Sequence, residues 1–515
     1  MPADLAAQRR RQERIVAWLL AQSADAERID THASTVVLAG KRAYKLKRAL
    51  DVGWMDFSTL QKRRLCCLHE LTLNRRTAPE LYLAVEPVVA EGEGFRLGGP
   101  GDHGGEPVEW LLVMRRFDSA QRFDRLLQDG RLDRALVEQL AATVAALHAQ
   151  AEVRRDSGGA AGVARVADEN ERDLAAGDLL PEAERQALAA RTRLAIERGA
   201  ALLERRREAG WVRHCHGDLH LANIVLWRAQ PVLFDCIEFN DAIARVDVLY
   251  DFAFLLMDLD RYGRRDLANA AQERWLEDEA QLEALALLPL FLSLRAAVRA
   301  KVAALGAAEV PAERTRLAAE ARDYAGRALA YLAPPPPVLL AVGGFSGTGK
   351  TSLARRLAPL VGAAPGALLI RSDVVRKRLF GVPPETRLPL DAYTPEWHQR
   401  VAAAMLRQAK RALTAGHAVV LDAVHGFPAS QQATAALAAE AGVPFRGVWL
   451  SAPLEVLESR IRERAADASD ATVEVVRRQM AGGEPPTSWT RLDAAAPLDR
   501  LVAEALAALP APAGC

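Results

Sequence analysis

The sequence lacks an excess of charge of either sign. Its 67 Lys and Arg residues against 66 Asp and Glu residues leave a net charge of +1 over 515 residues. A protein that binds nucleic acid or an anionic membrane through its overall charge carries a large positive excess. The balance therefore favours small molecules as partners, with no nucleic acid and no membrane expected, and it leaves the oligomeric state open.

Cysteine is scarce, and the chain does not open on a long apolar segment. The five cysteines are odd in number and show no metal-ligand spacing, which predicts free thiols in a reducing compartment. The apolar run at residues 15–21 is too short for a membrane anchor and lacks the features of a signal peptide. We therefore expect a cytoplasmic protein.

Lysine is rare among the basic residues. Only eight of the 67 are lysine; Lys41, Lys45 and Lys47 lie close together, and Lys350 ends a glycine-rich segment. A compact ammonium fits between phosphate oxygens where a planar guanidinium does not, so these positions are candidate phosphate contacts. The alternative interpretation of the cluster of three is a solvated strand face.

Four consecutive prolines at residues 334–337 mark a boundary, because they cannot continue the helical pattern before them and should form a stiff spacer. They predict a domain at residues 1–333, the linker 334–337 and a second domain at 338–515. Upstream, short strands precede long Ala/Leu/Arg helices, which is an α+β pattern. Downstream, apolar strands alternate with helices, the order of an α/β fold with a doubly wound parallel sheet.

Residues 344–351, GFSGTGKT, have the spacing of a phosphate-binding loop between a predicted strand and a predicted helix. Glycines in such a loop let the backbone amides turn toward phosphate at a helix N-terminus. Lys350 is expected to hold the β- and γ-phosphates, and Thr351 a magnesium ion. The predicted nucleotide-binding residues here are Gly344, Ser346, Gly347, Thr348, Gly349, Lys350, Thr351 and Ser352.

Two later strands carry candidate reactive groups. Asp373 and Arg376 follow a strand that ends at Ser372, so a carboxylate able to accept a proton and a guanidinium able to steady transferred charge should lie at the sheet's carboxyl edge. The alternative makes Asp373 a helix N-cap. Asp422 ends another strand as a predicted magnesium ligand, and the alanine after it, where a motor ATPase usually carries glutamate, favours phosphoryl transfer over hydrolysis.

With SDVVRK at residues 372–377 and the segment 454–472, the downstream half resembles the small P-loop kinases related to gluconate kinase and polynucleotide kinase, over roughly residues 338–500. The resemblance implies a helical lid whose arginines cover the phosphates. Arg460 and Arg464 are the positions that it implicates here. Arginines on a solvated helix give the same pattern, and this alternative stays open.

Residues 216–223, HGDLHLAN, have a second spacing typical of phosphoryl transfer. In this pattern Asp218 orients or deprotonates the acceptor hydroxyl, Asn223 binds a metal and His216 braces the loop, so His216 and Asp218 are the catalytic candidates. Asp235 ends the next strand as the expected second magnesium ligand. The alternative is a zinc site made by the three nearby histidines and Cys215, although alternate residues of an extended chain point to opposite faces.

These residues resemble the aminoglycoside phosphotransferase family, a small-metabolite branch of the protein-kinase-like fold, over roughly residues 30–330. The resemblance implies a strand lysine paired with a helical glutamate. Lys45 and Lys47 on one strand face, with Glu70, fit this requirement, and Lys45 is favoured because Ala43 is a small residue that fits over adenine.

The resemblance also implies an adenine-binding hinge and structural carboxylates. The backbone at residues 113–115, between Val113 and Arg115, is the expected hinge. Asp247 and Asp251 are expected as structural braces, with a substrate contact as the alternative.

The sequence departs from the pattern in three respects. No glycine-rich phosphate loop is evident near residues 34–44, and no A-P-E segment follows Asp235, which disfavours protein-kinase activity. It also lacks the dense acidic cleft that would bind a polycationic aminoglycoside. The candidate acidic residues are Glu238, Asp241, Glu277, Asp278 and Glu279.

The sequence therefore predicts an α+β protein-kinase-like domain followed by an α/β P-loop kinase domain, with ATP and Mg²⁺ as cofactors and GTP not excluded. The leading hypothesis is a tandem kinase that transfers the γ-phosphate to a hydroxyl of a small polar metabolite, sugar or aminoglycoside-like acceptor. One alternative is a single small-molecule kinase whose P-loop domain is a nucleotide-binding regulator. Another is a nucleic-acid end kinase, which the near-zero net charge disfavours.

Overall fold

A computed structural model describes residues 2–52, 55–99, 105–177, 179–276, 279–463 and 470–509. The chain packs as two compact units, one formed by residues 1–163 and 203–255 and the other by 164–202 and 256–515. The prolines at 334–337 form no helix or strand, and the helices just before them belong to the same unit as the sheet that follows. The domain boundary at these prolines stays a prediction from composition.

The secondary-structure elements have the following bounds. The strands are β1 (Glu27–Asp30), β2 (Ser34–Ala39), β3 (Arg42–Lys47), β4 (Tyr82–Glu91), β5 (Gly94–Leu97), β6 (Pro107–Arg115), β7 (Val212–His214), β8 (Ile224–Trp227), β9 (Gln230–Leu233), β10 (Arg245–Asp247), β11 (Leu339–Gly344), β12 (Leu368–Arg371), β13 (Val419–Asp422), β14 (Phe445–Ser451) and β15 (Thr490–Asp493). The α-helices are α1 (Pro2–Leu20), α2 (Leu60–Asn74), α3 (Phe123–Gln128), α4 (Arg134–Gln150), α5 (Gly159–Gly177), α6 (Glu182–Glu208), α7 (Asp241–Ala244), α8 (Val248–Arg261), α9 (Arg265–Trp275), α10 (Leu288–Glu309), α11 (Arg314–Tyr331), α12 (Lys350–Leu357), α13 (Ser372–Leu379), α14 (Pro395–Thr414), α15 (Pro428–Glu440), α16 (Leu454–Arg462), α17 (Val473–Gly482) and α18 (Leu498–Ala507). The 3₁₀ helices are Ser119–Gln121, Leu221–Asn223, Glu279–Leu287, Pro311–Glu313, Ala358–Leu360 and Leu390–Tyr393.

The first unit is built on a six-stranded antiparallel sheet in the order β1-β2-β3-β6-β4-β5. Strand β3 lies inside this sheet, with Lys45 opposite Val36 of β2 and Leu112 of β6. Because side chains alternate along a strand, Lys45 and Lys47 leave the sheet on the same face, as predicted. The α+β class of this region is confirmed.

The N-terminal helix α1 packs on the other face of this sheet. Ile15, Val16 and Leu19 join a core with Leu46 of β3 and Leu111 of β6. The apolar run at residues 15–21 is therefore part of the core of the first unit, which explains why it is short and interrupted.

Gln12, a polar residue of α1, is bonded to the end of β3. Its Oε1 accepts from the Ala49 N–H at 2.9 Å, and its Nε2 donates to Lys47 O at 2.8 Å and to the Glu109 carboxylate at 2.9 Å. The residue is only 5% exposed. Helix α1 therefore holds the strand that carries the two lysines.

Gln12→Ala is expected to destabilise the first unit by about 2–4 kcal/mol, because it leaves the buried Ala49 N–H and Lys47 carbonyl without their partner. Unfolding by urea, followed by tryptophan fluorescence, measures the effect. Gln22→Ala, at an exposed position just beyond α1, is the matched control and should shift stability by no more than about 0.5 kcal/mol. Equal midpoints for the two variants would contradict the assigned role of Gln12.

The second unit contains a long apolar helical stretch. In the described part of the chain, the stretch Glu279–Ala308 has the length and composition to cross a bilayer, and 78% of its most apolar window is buried inside the structure. A helix that is apolar on all sides and covered by protein is typical of the core of a large helical domain.

The sheet of the second unit is five-stranded and fully parallel, in the order β12-β13-β11-β14-β15. Leu340 and Val342 of β11 pack in one core with α12 and α18, whereas Ala341, which points to the opposite face, packs with α16 and α17. Helices thus cover both faces, and the predicted doubly wound α/β fold is confirmed.

Helix α9 and the 3₁₀ helix Glu279–Leu287 contact elements around this parallel sheet. Asn269 Nδ2 donates to Ala367 O at 2.9 Å, and Gln272 Nε2 lies 3.3 Å from His417 Nε2. Both amide side chains are buried. These bonds join residues on the two sides of the proline segment within one unit.

Candidate active sites

Strand β3 and helix α2 meet around Glu70, which is fully buried. Glu70 Oε1 accepts from Lys45 Nζ at 2.8 Å, and Oε2 lies 2.5 Å from Lys47 Nζ. Lys45 Nζ also lies 2.5 Å from Asp235 Oδ1. Burial disfavours the charged ammonium, but the attraction of Asp235 and Glu70 outweighs it and raises the pKa of Lys45 well above its usual value. Residues far apart in the sequence thus form one charged group.

The loop at residues 216–223 is bonded to the end of β9. Asn223 Nδ2 donates to Asp218 Oδ2 at 2.8 Å and to Asp218 O at 3.0 Å. His216 Nε2 lies 3.0 Å from Phe234 O, and the Asp218 N–H donates to His216 Nδ1 at 3.3 Å. Asp218 and Asn223 therefore lie side by side, and the fully buried His216 has the contacts of a brace.

Asp251 of α8 binds the backbone of the same loop. Its carboxylate accepts from the backbone N–H groups of His216, at 3.2 Å, and Gly217, at 2.8 Å, and lies 3.1 Å from His148 Nε2. Such partners offset the cost of burying a carboxylate. These contacts agree with the structural role expected for Asp251.

Asp247 is also a buried carboxylate with partners inside the protein. Its two carboxylate oxygens accept from Arg206 Nε and Nη2, both at 2.7 Å, and both side chains are buried. A planar guanidinium paired in this two-point way is a strong geometric constraint. Asp247 thus anchors the start of α8 to α6.

The structure does not support the zinc alternative. Among the described residues, the group whose ligand atoms lie close enough to share a metal is His148, Cys215 and Asp251. His214, His216 and His220 do not join such a group with Cys215, so the zinc interpretation of these histidines is wrong.

Asp235 and Asn223 offer oxygen donors suited to magnesium. Asp235 has a φ of +64°, in the left-handed region that a residue with a side chain rarely occupies outside turns and functional sites. Its N–H donates to the Tyr82 hydroxyl at 3.0 Å, which fixes this unusual turn. Asn223 uses its nitrogen on Asp218, so its oxygen is the atom available to a metal. Carboxylate and amide oxygens are the ligands that Mg²⁺ prefers, and the residues present fit it.

The backbone of the predicted hinge is engaged in the sheet. Val113 stands opposite Tyr44 of β3 and Ala84 of β4, and the Arg115 N–H donates to Leu81 O at 2.8 Å. An adenine contact through the Arg115 amide requires exchange of that bond. The hinge assignment to Val113 and Arg115 stays a prediction.

The glycine-rich loop connects β11 to α12. Gly344, Gly347 and Gly349 have φ values of +142°, +86° and +86°. A Cβ at Gly344 would lie 2.7 Å from Leu450 O, so the residue has to be glycine for steric as well as conformational reasons. The loop therefore has the backbone shape that presents amides at the N-terminus of α12.

Polar groups of this loop are paired within the protein. Lys350 Nζ and Thr348 Oγ1 both donate to Phe345 O, at 3.0 and 2.8 Å. The Ser346 N–H donates to Gln479 Oε1 of α17 at 2.9 Å. Ser352 is exposed on the first turns of α12. The Gln479 contact was not predicted.

The predicted metal ligands of the second unit lie together. Thr351 Oγ1 donates to Asp422 Oδ2 at 2.6 Å, and a hydroxyl with a carboxylate is a donor set that fits Mg²⁺. Arg371 Nε, at the end of β12, lies 3.7 Å from the same Asp422 oxygen, with both side chains 5% exposed. Arg371 is therefore a buried positive charge beside this site.

Helix α13 carries the candidate reactive pair of the second unit. Asp373 is its second residue and Arg371 is its N-cap, so the interpretation of Asp373 as the N-cap is wrong. Arg376 is buried, donates from Nη1 to Ala392 O at 2.7 Å and lies 4.7 Å from the centroid of the Tyr393 ring. Burial lowers the pKa of Arg376, and the nearby Asp373 carboxylate acts in the opposite direction.

The structure describes part of the predicted lid. Helix α16 ends at Arg462, and Arg460 Nη2 donates to Ala494 O at 2.9 Å. Arg464 lies outside the described residues. The lid role of both arginines stays a prediction.

The comparisons with known proteins cover both units. Residues 93–285 match the model of the phosphotransferase enzyme family, and residues 339–486 match that of an AAA domain. The chain is 32% identical over 490 residues to the uncharacterized proteins Rv2004c of Mycobacterium tuberculosis and Mb2027c of Mycobacterium bovis, covering 92% of this chain and 94% of each relative. The chain belongs to this two-domain phosphotransferase and P-loop kinase family.

Solved structures resemble each domain of this family separately. A choline/ethanolamine kinase family protein from Mesorhizobium loti is 14% identical, with a TM-score of 0.38, over 62% of this chain and 98% of that chain. A gluconokinase from Sinorhizobium meliloti is 22% identical, with a TM-score of 0.26, over 34% of this chain and 91% of that chain.

Of the candidate acidic residues for a polycation in the phosphotransferase domain, the three that the structure describes are already paired. Glu238 is buried against Lys47, Asp241 pairs with Arg245, and Glu279, in the second unit, accepts from Arg407 and Gln408. Glu277 and Asp278 lie outside the described residues.

In the P-loop kinase domain, Asp470 makes contacts next to the candidate reactive pair that the sequence interpretation did not predict. Its Oδ2 accepts from the Tyr393 hydroxyl at 2.5 Å and lies 2.9 Å from Lys377 Nζ. Asp470 thereby connects the segment after the predicted lid to α13, which carries Asp373. The SDVVRK motif contains Lys377 and was the available signal, but it does not reveal the partner.

Proposed function

We propose that the protein is a cytoplasmic, magnesium-dependent tandem kinase that transfers the γ-phosphate of ATP, with GTP as an open alternative, to a hydroxyl of a small polar metabolite, sugar or aminoglycoside-like acceptor. The two family matches support phosphotransfer at the level of the domains. The observation that carries the fuller proposal is the placement of Asp218 against Asn223, together with the Lys45–Glu70–Asp235 group in the same unit.

At the N-terminal site, each residue has a chemical task that its contacts support. Lys45 can offset phosphate charge while Glu70 holds its ammonium in place. The hydroxyl oxygen of the acceptor forms a bond to the γ-phosphorus as the bond to the β–γ bridging oxygen breaks, and the hydroxyl proton passes to the Asp218 carboxylate. Asn223 and His216 keep that carboxylate oriented. A magnesium ion held by Asp235 and Asn223 would supply positive charge to the phosphates.

At the P-loop site, the same division of tasks uses other residues. Lys350 and the loop amides are suited to the β- and γ-phosphates, and Thr351 with Asp422 to magnesium. Asp373 at the start of α13 can accept the proton of an acceptor hydroxyl, and the buried Arg376 can steady charge on the transferred group.

A second candidate function is regulation of one kinase reaction by nucleotide binding at the P-loop. The backbone of the glycine-rich loop supports it, because a loop of this shape binds nucleotide whether or not an acceptor is phosphorylated there. Nucleotide bound at one site can alter the affinity of another site through a coupling free energy.

Nucleotide turnover of the purified full-length chain against aminoglycosides, sugars, amino sugars and nucleosides tests the proposal. We expect at least one hydroxyl compound to be phosphorylated with a strict requirement for Mg²⁺. Product analysis by mass spectrometry and ³¹P NMR distinguishes transfer to the acceptor from hydrolysis. A protein that hydrolyses ATP but phosphorylates no compound of the panel would contradict transfer to this acceptor class.

A further inference from the structure

Lys47 occupies a different environment from Lys45 on the same strand face. Its side chain is 1% exposed, whereas that of Lys45 is 12% exposed. Its Nζ lies 2.5 Å from Glu70 Oε2 and contacts Glu238 Oε1, three residues after Asp235. Lys47 is thus enclosed between two carboxylates and does not face solvent.

The loop that contains Glu238 is tied to helix α2 at two further points. The Cys236 N–H donates to Asn74 Oδ1 at 2.9 Å, and His69 Nδ1 lies 2.8 Å from Glu238 O. With the Lys47 contact, these bonds hold the loop at Cys236 and at Glu238. The candidate metal ligand Asp235 is the first residue of this loop segment.

The charges of this region alternate along a chain of contacts: Asp235, Lys45, Glu70, Lys47, Glu238. The burial of Glu70 and Glu238 is tolerable because each contacts an ammonium. When Lys45 engages phosphate, its contact with Asp235 weakens, whereas Lys47 is too enclosed to move toward the phosphate. Lys47 is then the cation that keeps Glu70 and Glu238 from repelling each other.

We infer that Lys47 is a positioning residue for the metal-binding loop: it clamps Glu238 to Glu70 so that Asp235 keeps its place when Lys45 turns to the nucleotide. This inference rests on the proposed function of the N-terminal site. It gives the two predicted cofactor-binding lysines different roles: Lys45 contacts the phosphates, whereas Lys47 acts through the loop that carries Asp235.

The test measures binding of a non-transferable ATP analogue at a series of Mg²⁺ concentrations by calorimetry, in full-length protein carrying Lys350→Ala to restrict binding to the N-terminal site. Lys47→Met should raise the Mg²⁺ concentration for half-maximal analogue binding by about 10-fold or more, as for other residues that orient metal ligands. Analogue affinity at saturating Mg²⁺ should stay within about twofold, because Lys47 does not touch the nucleotide. Lys45→Met should instead weaken binding at every Mg²⁺ concentration.

Glu238→Gln keeps the shape of the side chain and removes its charge, so it reports on the clamp even if Lys47→Met fails to fold. It should shift the Mg²⁺ requirement in the same direction, and the double variant should be no worse than the stronger single variant, because the two residues act as one pair. Lys62→Met, an exposed lysine of α2 paired with Asp56, is the matched control and should leave the Mg²⁺ requirement unchanged.

The outcomes separate two failures. If the Lys350→Ala protein binds no analogue at any Mg²⁺ concentration, the proposed nucleotide site and the clamp are both overturned. If the Lys350→Ala protein binds the analogue, two results overturn the clamp alone. In the first, the folded Lys47→Met and Glu238→Gln proteins have an unchanged Mg²⁺ requirement. In the second, Lys47→Met weakens analogue binding at every Mg²⁺ concentration, as Lys45→Met does.

Discussion

Asp218→Asn should slow phosphate transfer at the N-terminal site by about 10²- to 10⁴-fold, the range typical for loss of a general base. The amide retains an oxygen that can accept from Asn223 Nδ2, now 2.8 Å from Asp218 Oδ2, so the loop should keep its shape while proton acceptance is lost. Steady-state kinetics with the acceptor found in the panel measure the effect. The loss should fall on kcat, with KM for ATP little changed.

Asp129→Asn is the matched control, because Asp129 is an exposed residue at the end of α3 in the same unit. It should retain the kinetics of the wild type. Transfer by Asp218→Asn at the rate of the wild type would exclude Asp218 as the proton acceptor. A loss accompanied by a lower melting temperature would assign the residue to loop stability instead.

Local patterns in the sequence were sufficient for the elements and motifs. The expectation that Lys45 and Lys47 share one face of a short strand needs only the alternation of side chains along a strand, and the structure has this strand at Arg42–Lys47. The P-loop was predictable because the glycines, Lys350 and Thr351 all lie within residues 344–351, and their spacing is itself the requirement for wrapping phosphate.

Partners distant in the sequence could not be predicted in this way. Lys47 and Glu238 are 191 positions apart, and Ser346 and Gln479 are 133 apart. Periodicity indicates on which face of its own helix or strand a side chain lies, but the tertiary fold decides which other element that face contacts. The same limit explains why Gln12, a polar residue in the first helix, gave no signal of its buried role.

Lys350→Ala should lower the P-loop transfer rate by about 10²- to 10³-fold, because it removes the ammonium expected to hold the β- and γ-phosphates in the bound nucleotide and in the transition state. Lys350 Nζ now donates to Phe345 O, so it lies at the loop that would receive the phosphates. Lys410→Ala is the matched control, since Lys410 is 53% exposed and pairs with Glu440 on the surface of the same domain. Its transfer rate should equal that of the wild type. Rates are measured with each acceptor that the wild type phosphorylates.

The effect of Lys350→Ala on the N-terminal reaction decides between the two functions proposed for the P-loop domain. In a tandem kinase, it removes phosphorylation of one acceptor, while the reaction that depends on Asp218 proceeds unchanged. In a regulator, no acceptor depends on Lys350 for transfer, and the apparent affinity of the Asp218-dependent reaction shifts by about 5- to 150-fold, the usual range of coupling between two sites.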